Sequence, residues 1–291
     1  MDLKFVLMVN SLGVIVATLL MVIFSDLIAN ARFKRSNPDA DMDTLWKTPA
    51  FIVRRTGLYV GTLLGTLAVF ENNAAVKLSV ATGEAVVSYP AILAESAMGL
   101  ISVLMFMFIA LRSADWLILA NLKNDDAVKE NNAAVAITEA CILVGTGFVA
   151  YGALLGEGHI ASSWVFFLIG QSAFVLVSYA LEYIIHPSHA AKTDIQKGCI
   201  PSALIVGSMI ISSALFVKNG IAGDFYGLAV DAWYFLRLMS MQMALFFIYL
   251  FCVEPYMLKV MKLTRVSLGG AAVSASAQIF IAASIAMSVT L

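Results

Sequence analysis

The sequence predicts an all-α, polytopic membrane protein, and three observations lead to this fold class. Of its 291 residues, 61% are hydrophobic and only 13% are charged, against about 25% charged residues in an ordinary soluble domain. Eight segments are long and apolar enough to cross a bilayer as helices. Their apolar residues run continuously, without the alternation of polar and apolar positions that membrane β-barrel strands show. These observations exclude a soluble globular domain.

The predicted spans follow one another with short connections. They cover residues 4–30, 47–70, 89–119, 129–155, 160–185, 196–219, 230–258 and 266–291. Consecutive spans pair as helical hairpins, so we expect about eight transmembrane helices arranged as four repeated hairpins. We group the hairpins into two four-helix membrane units, residues 1–156 and 157–291.

Lysine and arginine are concentrated on one side of the predicted bundle. The connections after the first, third, fifth and seventh spans hold eleven basic residues, whereas the opposite side holds three. The positive-inside rule places the basic side in the cytoplasm, so both termini are expected outside. The net charge of -1 gives no field that would attract nucleic acid. Because the predicted spans are apolar, the partner that the sequence implies is the lipid bilayer rather than nucleic acid.

Charged side chains also fall inside the predicted spans: Arg54, Arg55, Glu95, Glu139 and Arg237. Placing such a charged side chain inside the bilayer costs several kcal/mol unless it is paired or faces water. Superposing the hairpins puts Arg55 opposite Glu139, so we expect Glu139 to pair with Arg55 or, as the alternative, with Arg54. At the outer side, Glu95 and Arg237 could form a second pair. These pairs would either hold the bundle in register or line a transport pathway.

Each descending helix ends in an acidic residue: Asp26, Asp115, Glu182 and Glu254. Capping does not explain the pattern, because an acid near a helix C-terminus opposes the helix dipole. Two explanations stay open. The acids are separate groups that solvate the helix ends at the cytoplasmic interface, or they form a ring of carboxylates that attracts a small cation.

The sequence contains no set of catalytic, cofactor-binding or metal-ligating residues. No GxSxG, HExxH or Walker motif occurs. The three histidines are His159, His186 and His189. The last two form the run HPSH, which has no third ligand for a metal. We therefore expect a protein that is not an enzyme and has no cofactor and no metal site.

The strongest sequence signature lies in the middle of the chain. The run VKENNAAVAITEACILVGTGFVAYGALLGEG begins a returning helix with Asn131 and Asn132, and IASSWVFFLIGQSAFVLVSYALEYI and DIQKGCIPSALIVGSMIISSALF follow it. Over residues 128–220 these runs resemble the bacterial inner-membrane family called domain of unknown function 350, the YjfL-like proteins. The resemblance implies four-span units, two of which would be fused here in tandem. It also implies a location in the bacterial inner membrane.

Two functions from different classes follow. The resemblance implies a non-enzymatic inner-membrane protein linked to envelope integrity or envelope stress, which acts as a homo-oligomer or with a membrane partner protein. The repeats, the buried charges and the helix-end acids favour the alternative, a transporter or channel for an ion or small cation. An intramembrane enzyme acting on lipid is a third hypothesis, but the sequence contains no nucleophile with a neighbouring base.

Overall fold

A computed structural model describes residues 3–81, 89–117, 124–155, 160–185, 190–222 and 226–289, and all regular structure in these ranges is helical. The helices are α1 (Leu3–Ser36), α2 (Met42–Leu45), α3 (Pro49–Ala81), α4 (Tyr89–Leu117), α5 (Asn124–Lys129), α6 (Ala133–Leu155), α7 (Ile160–Ile185), α8 (Ala190–Gln196), α9 (Ile200–Ile221), α10 (Leu228–Ile248), α11 (Glu254–Val260) and α12 (Leu268–Ser288). A π-helical segment, Tyr249–Val253, joins α10 to α11. The predicted all-α class is confirmed for these ranges.

Seven segments in the described part of the chain are long and apolar enough to cross a membrane. They are Gly13–Ser36, Leu93–Arg112, Ala133–Leu155, Ile160–Ala180, Ile200–Ile221, Ala229–Val260 and Leu268–Ser288. The second predicted span, which corresponds to α3, is not among the seven, because Arg54 and Arg55 lower its mean hydropathy. The chain is thus a multi-pass helical membrane protein, and the count of eight spans stays a prediction.

The four returning helices α3, α6, α9 and α12 pack side by side in this order and form the core, which we call the central row. The two inner helices, α6 and α9, each have 72% of their most apolar stretch buried, whereas α1 has 17%. Helices α1 and α4 cover α3, α7 lies against α6 and α9, and α10 packs on α9 and α12. Large apolar side chains on the outer helices face outward, as lipid contact requires: Leu19, Leu176 and Trp233.

Glycines bring the backbones of the central row into direct contact. A Cβ atom added at Gly61 would lie 2.3 Å from the carbonyl oxygen of Leu143, and one at Gly147 would lie 2.5 Å from the Cα atom of Gly61. One at Gly57 would lie 2.4 Å from the Cα atom of Ala140. Helices in a bilayer gain little from hydrophobic burial, so close backbone approach at small residues is a main source of their attraction.

Candidate functional site

A group of buried charges meets where α3, α5 and α6 come together. Arg54 Nη1 lies 2.7 Å from Asp125 Oδ1, and Arg54 Nε lies 2.9 Å from Glu139 Oε2. Arg54 Nη2 donates a longer hydrogen bond of 3.4 Å to Glu139 Oε1. All three residues are buried, and the Glu139 residue is only 1% exposed. One guanidinium group therefore joins three elements of the fold.

Arg55 points to the other side of α3 and pairs with α1. Its Nη2 atom donates to Asn30 Oδ1 at 2.6 Å, and its Nη1 atom lies 3.5 Å from Asp26 Oδ1. The same carboxylate accepts hydrogen bonds from Tyr59 Oη at 2.8 Å and from Asn30 Nδ2 at 2.7 Å. The Arg55 guanidinium also lies over the Phe51 ring, 4.8 Å from its centroid.

The expected pairing of Glu139 with Arg55 is wrong, and the alternative with Arg54 is the one formed. Consecutive residues of an α-helix point about 100° apart, so only one of the two arginines can face α6. Arg55 and Glu139 are equivalent positions of two repeats, so each points in the same direction relative to its own repeat and the two do not face each other. The partner of Glu139 is therefore the preceding residue, Arg54.

A crevice opens beside these two ion pairs. It is narrow, with room for about one water molecule. Its lining comes from α1, α3, α4, α5 and α6: Ala29, Arg32, Phe33, Arg54, Arg55, Leu58, Leu111, Asp125 and Leu143. Arg32 donates from Nη1 to the Leu111 carbonyl oxygen at 2.7 Å and so ties α1 to α4.

A second polar cluster surrounds Glu254 at the other end of the central row. The Glu254 carboxylate is fully buried, and its Oε1 atom accepts from Arg265 Nε at 2.9 Å and from the Ser274 hydroxyl. Gln278 Nε2 donates to both carboxylate oxygens, at 3.2 and 3.1 Å. Gln278 Oε1 in turn accepts from Ser208 Oγ at 2.5 Å. The cluster therefore links α9, α11 and α12.

The two helix-end acids whose side chains the structure describes, Asp26 and Glu254, do not meet as a ring would require. Asp26 pairs with Arg55 at the α3 end of the central row, and Glu254 pairs with Arg265 at the α12 end. No hydrogen bond or ion pair joins these two described acids. The side chains of Asp115 and Glu182 lie outside the described part of the structure. Asp26 and Glu254 each have their own arginine instead.

The second expected ion pair, Glu95 with Arg237, is not formed. Both side chains are exposed on the surface of the chain, and no ion pair joins them among the described contacts. Glu95 lies on α4, which packs on α3, whereas Arg237 lies on α10, which packs on α9 and α12. The depth of each residue in its span follows from counting residues, but the identity of the neighbouring helix does not.

Asn131 and Asn132 precede α6 and connect it to the beginning of α3 and to the end of α8. Asn132 Oδ1 accepts from the amides of Ala134 and Val135 at 3.1 and 3.2 Å and so caps α6. Its Nδ2 atom donates to the last carbonyl groups of α8, including that of Gln196 at 2.9 Å. Asn131 has φ 61°, a left-handed conformation that asparagine tolerates well, and accepts from the Ala50 amide at 3.1 Å.

Several residues of the two clusters escaped the sequence analysis. Asp125 and Arg265 lie in connections and looked like ordinary loop charges, whereas the structure folds both onto the spans. Gln278 stood out only as an amide in the middle of a span. The described residues contain no group of three or more His, Cys, Asp or Glu side chains that could hold a metal ion.

Comparison with known proteins gives one match. A family model described as Domain of Unknown Function (DUF350) matches residues 83–221, a range that includes α4, α6, α7 and α9. No curated protein and no solved structure matches this chain. The matched range crosses the predicted boundary between units 1–156 and 157–291, and the tandem arrangement stays a prediction. Residues 83–221 of this chain, just under half of its length, are therefore similar to the family described as Domain of Unknown Function (DUF350).

Proposed function

We propose that this protein is a non-enzymatic component of the bacterial inner membrane that works as an oligomer or with a membrane partner in maintaining the envelope under stress. The packing of the central row is the observation that carries the proposal. The backbones of α3 and α6 touch at Gly61 and Gly147, so no permeating species fits between these helices there. The charges beside this contact are matched by partners within the chain.

The proposal includes a topology with eight spans and both termini outside. Helix α3 would be the remaining span, because it packs between α1, α4 and α6, as a membrane helix of the central row would. Its two arginines are compatible with a span since both are paired inside the bundle. The excess of basic residues in alternate connections supports the orientation.

Transport of an ion or small cation is the second candidate function. The crevice that reaches Arg54, Arg55 and Asp125 favours it, because intramembrane charges next to a cavity commonly mark a pathway for ions or substrates. Glu139 lies behind this crevice as the partner of Arg54. A transport pathway would need to continue from the crevice past the contact between α3 and α6.

The function can be tested in a bacterial strain that lacks the gene. We expect the strain to survive detergent or osmotic shock less well, and the wild-type protein to restore survival. Gly61→Leu should fail to restore it, because the new side chain would separate α3 from α6. Gly269→Leu is the matched control, since a Cβ atom at Gly269 meets no atom within 4 Å. Equal survival with and without the gene would contradict the envelope role.

A further inference from the structure

We propose that the cluster around Glu254 is a binding site for a monovalent metal cation, and that Arg265 occupies this site as a tethered substitute. The site lies between α9, α11 and α12, beside the π-helical segment Tyr249–Val253. The inference goes beyond the envelope role and does not depend on it. Its ligand class is a hard cation such as Na⁺ or K⁺.

The first argument is the difference in burial between the two charges. The Glu254 side chain is 0% exposed, whereas the Arg265 side chain is 32% exposed. Arg265 reaches Glu254 through a single nitrogen, Nε at 2.9 Å, and its Nη2 atom makes only a 3.5 Å contact with the Leu250 carbonyl oxygen. A parallel two-bond geometry would be the stronger arrangement. The countercharge can therefore leave the site, but the carboxylate cannot.

The second argument is that oxygen atoms with spare lone pairs converge on the site. Within the described ranges, Glu254 Oε2 accepts one hydrogen bond, from Gln278, although a carboxylate oxygen has room for two. The Tyr249 hydroxyl is buried, and among the described residues it has no hydrogen-bond partner. Tyr249 begins the π-helical segment that Glu254 immediately follows. An unsatisfied buried hydroxyl is costly in a membrane protein unless a ligand uses it.

The π-helical segment supplies the remaining geometry. The Glu254 amide donates to the Tyr249 carbonyl oxygen five residues earlier, so the helix is locally wider than an α-helix. Such segments occur frequently at functional sites. Irregular helical backbone in membrane transport proteins coordinates Na⁺ through its carbonyl groups. The Leu250 carbonyl group, which contacts Arg265, is placed to do the same.

The charge of the site selects a monovalent ion. Glu254 is the only carboxylate in this contact set, so one positive charge neutralises it. A divalent ion would leave an uncompensated charge in a medium of low dielectric constant, which is strongly unfavourable. The oxygen ligands of Glu254, Ser274 and Tyr249 suit a hard metal cation.

The test compares Arg265→Gln with Arg237→Gln in the purified full-length protein. Thermal unfolding is measured in NaCl, KCl and choline chloride at equal ionic strength. With Arg265 removed, Na⁺ or K⁺ at about ten times its Kd should raise Tm by about 2 °C over choline. Arg237 is exposed, and no described hydrogen bond or ion pair joins it to the site, so its variant should show the same Tm in all three salts.

Two further variants identify the ligands. Adding Glu254→Gln or Tyr249→Phe to Arg265→Gln should abolish or reduce the salt-specific rise. An equal Tm of Arg265→Gln in all three salts would overturn the proposal, and so would a response to pH alone, which would mean that a proton neutralises Glu254. Failure of Arg265→Gln to fold even in concentrated NaCl and KCl would also overturn it, because the free cation should then replace the guanidinium.

Discussion

At the scale of single residues, the fold depends on which of two adjacent arginines faces which helix. Arg54 faces α5 and α6, whereas Arg55 faces α1. Removing one partner of a buried ion pair leaves an uncompensated charge, and this typically costs about 3 to 5 kcal/mol. The two arginines should therefore couple energetically to different carboxylates.

A double-mutant cycle tests this assignment. Arg54→Gln and Glu139→Gln should each destabilise the protein, and the double variant should recover about 1 kcal/mol or more of the summed loss. Arg55→Gln combined with Glu139→Gln is the control, and these two losses should add. The measurement is thermal or denaturant unfolding in one detergent. Coupling of Glu139 to Arg55, with none to Arg54, would contradict the structure.

Sequence reasoning identified the buried charges but not all of their partners. Depth along a helix follows from counting residues, so the matching depths of Arg54, Arg55 and Glu139 were visible. The direction in which each residue points depends on how the helices pack, and a single sequence does not contain this information directly. Asp125 and Arg265 were missed for a related reason, because a charge in a connection can fold back onto a span.

At the scale of helices, small residues and caps fix how the elements meet. Gly61 and Gly147 allow backbone contact between α3 and α6. Asn132 caps α6 and also holds the end of α8. Each of these residues contacts two helices. A substitution there should therefore lower the free energy of unfolding more than the same substitution at a position that contacts one helix.

Alanine at Gly61 tests the backbone contact. Its Cβ atom would meet the Leu143 carbonyl oxygen, so the two helices must move apart, and overpacking of this kind costs about 1 to 3 kcal/mol. Alanine at Gly269 has open space and should be neutral or slightly stabilising. Unfolding temperatures of the two variants in the same detergent provide the comparison. Equal temperatures would show that α3 and α6 do not touch at Gly61.

Alanine at Asn132 tests the link between α6 and α8. It removes the N-terminal cap and the two contacts to carbonyl groups of α8, so a loss of about 2 kcal/mol is expected. Ser267→Ala is the control, because Ser267 Oγ accepts from the Gly270 amide and donates to the Thr264 carbonyl oxygen, both at the start of α12, so its loss should be about 1 kcal/mol. A smaller loss for Asn132→Ala than for Ser267→Ala would contradict the double role.

At the scale of the whole molecule, composition predicted the architecture well. The all-helical class and the membrane location followed from continuous apolar runs, since the bilayer leaves few other solutions for the backbone. The order of the central row did not follow from composition. The predicted sixth and eighth spans begin at residues 196 and 266, whereas α9 begins at Ile200 and α12 at Leu268.

Cysteine labelling tests the proposed topology in intact cells, with the three native cysteines replaced. New cysteines at the exposed positions Lys34 and Glu130 should be protected from an impermeant thiol reagent. A cysteine at Tyr226, which is 71% exposed and lies in the connection after α9, should react. Labelling after cell lysis is the control for accessibility. The reverse pattern would invert the topology.

The central claim is that this protein is a packed membrane component without a continuous path for ions. Purified protein reconstituted in liposomes tests it directly, by measuring the flux of Na⁺, K⁺ and a polyamine with and without a membrane potential. We expect the same flux as in protein-free liposomes. A saturable flux that depends on the protein and is lost in Asp125→Asn would contradict the claim and establish the crevice beside Arg54 as a transport pathway.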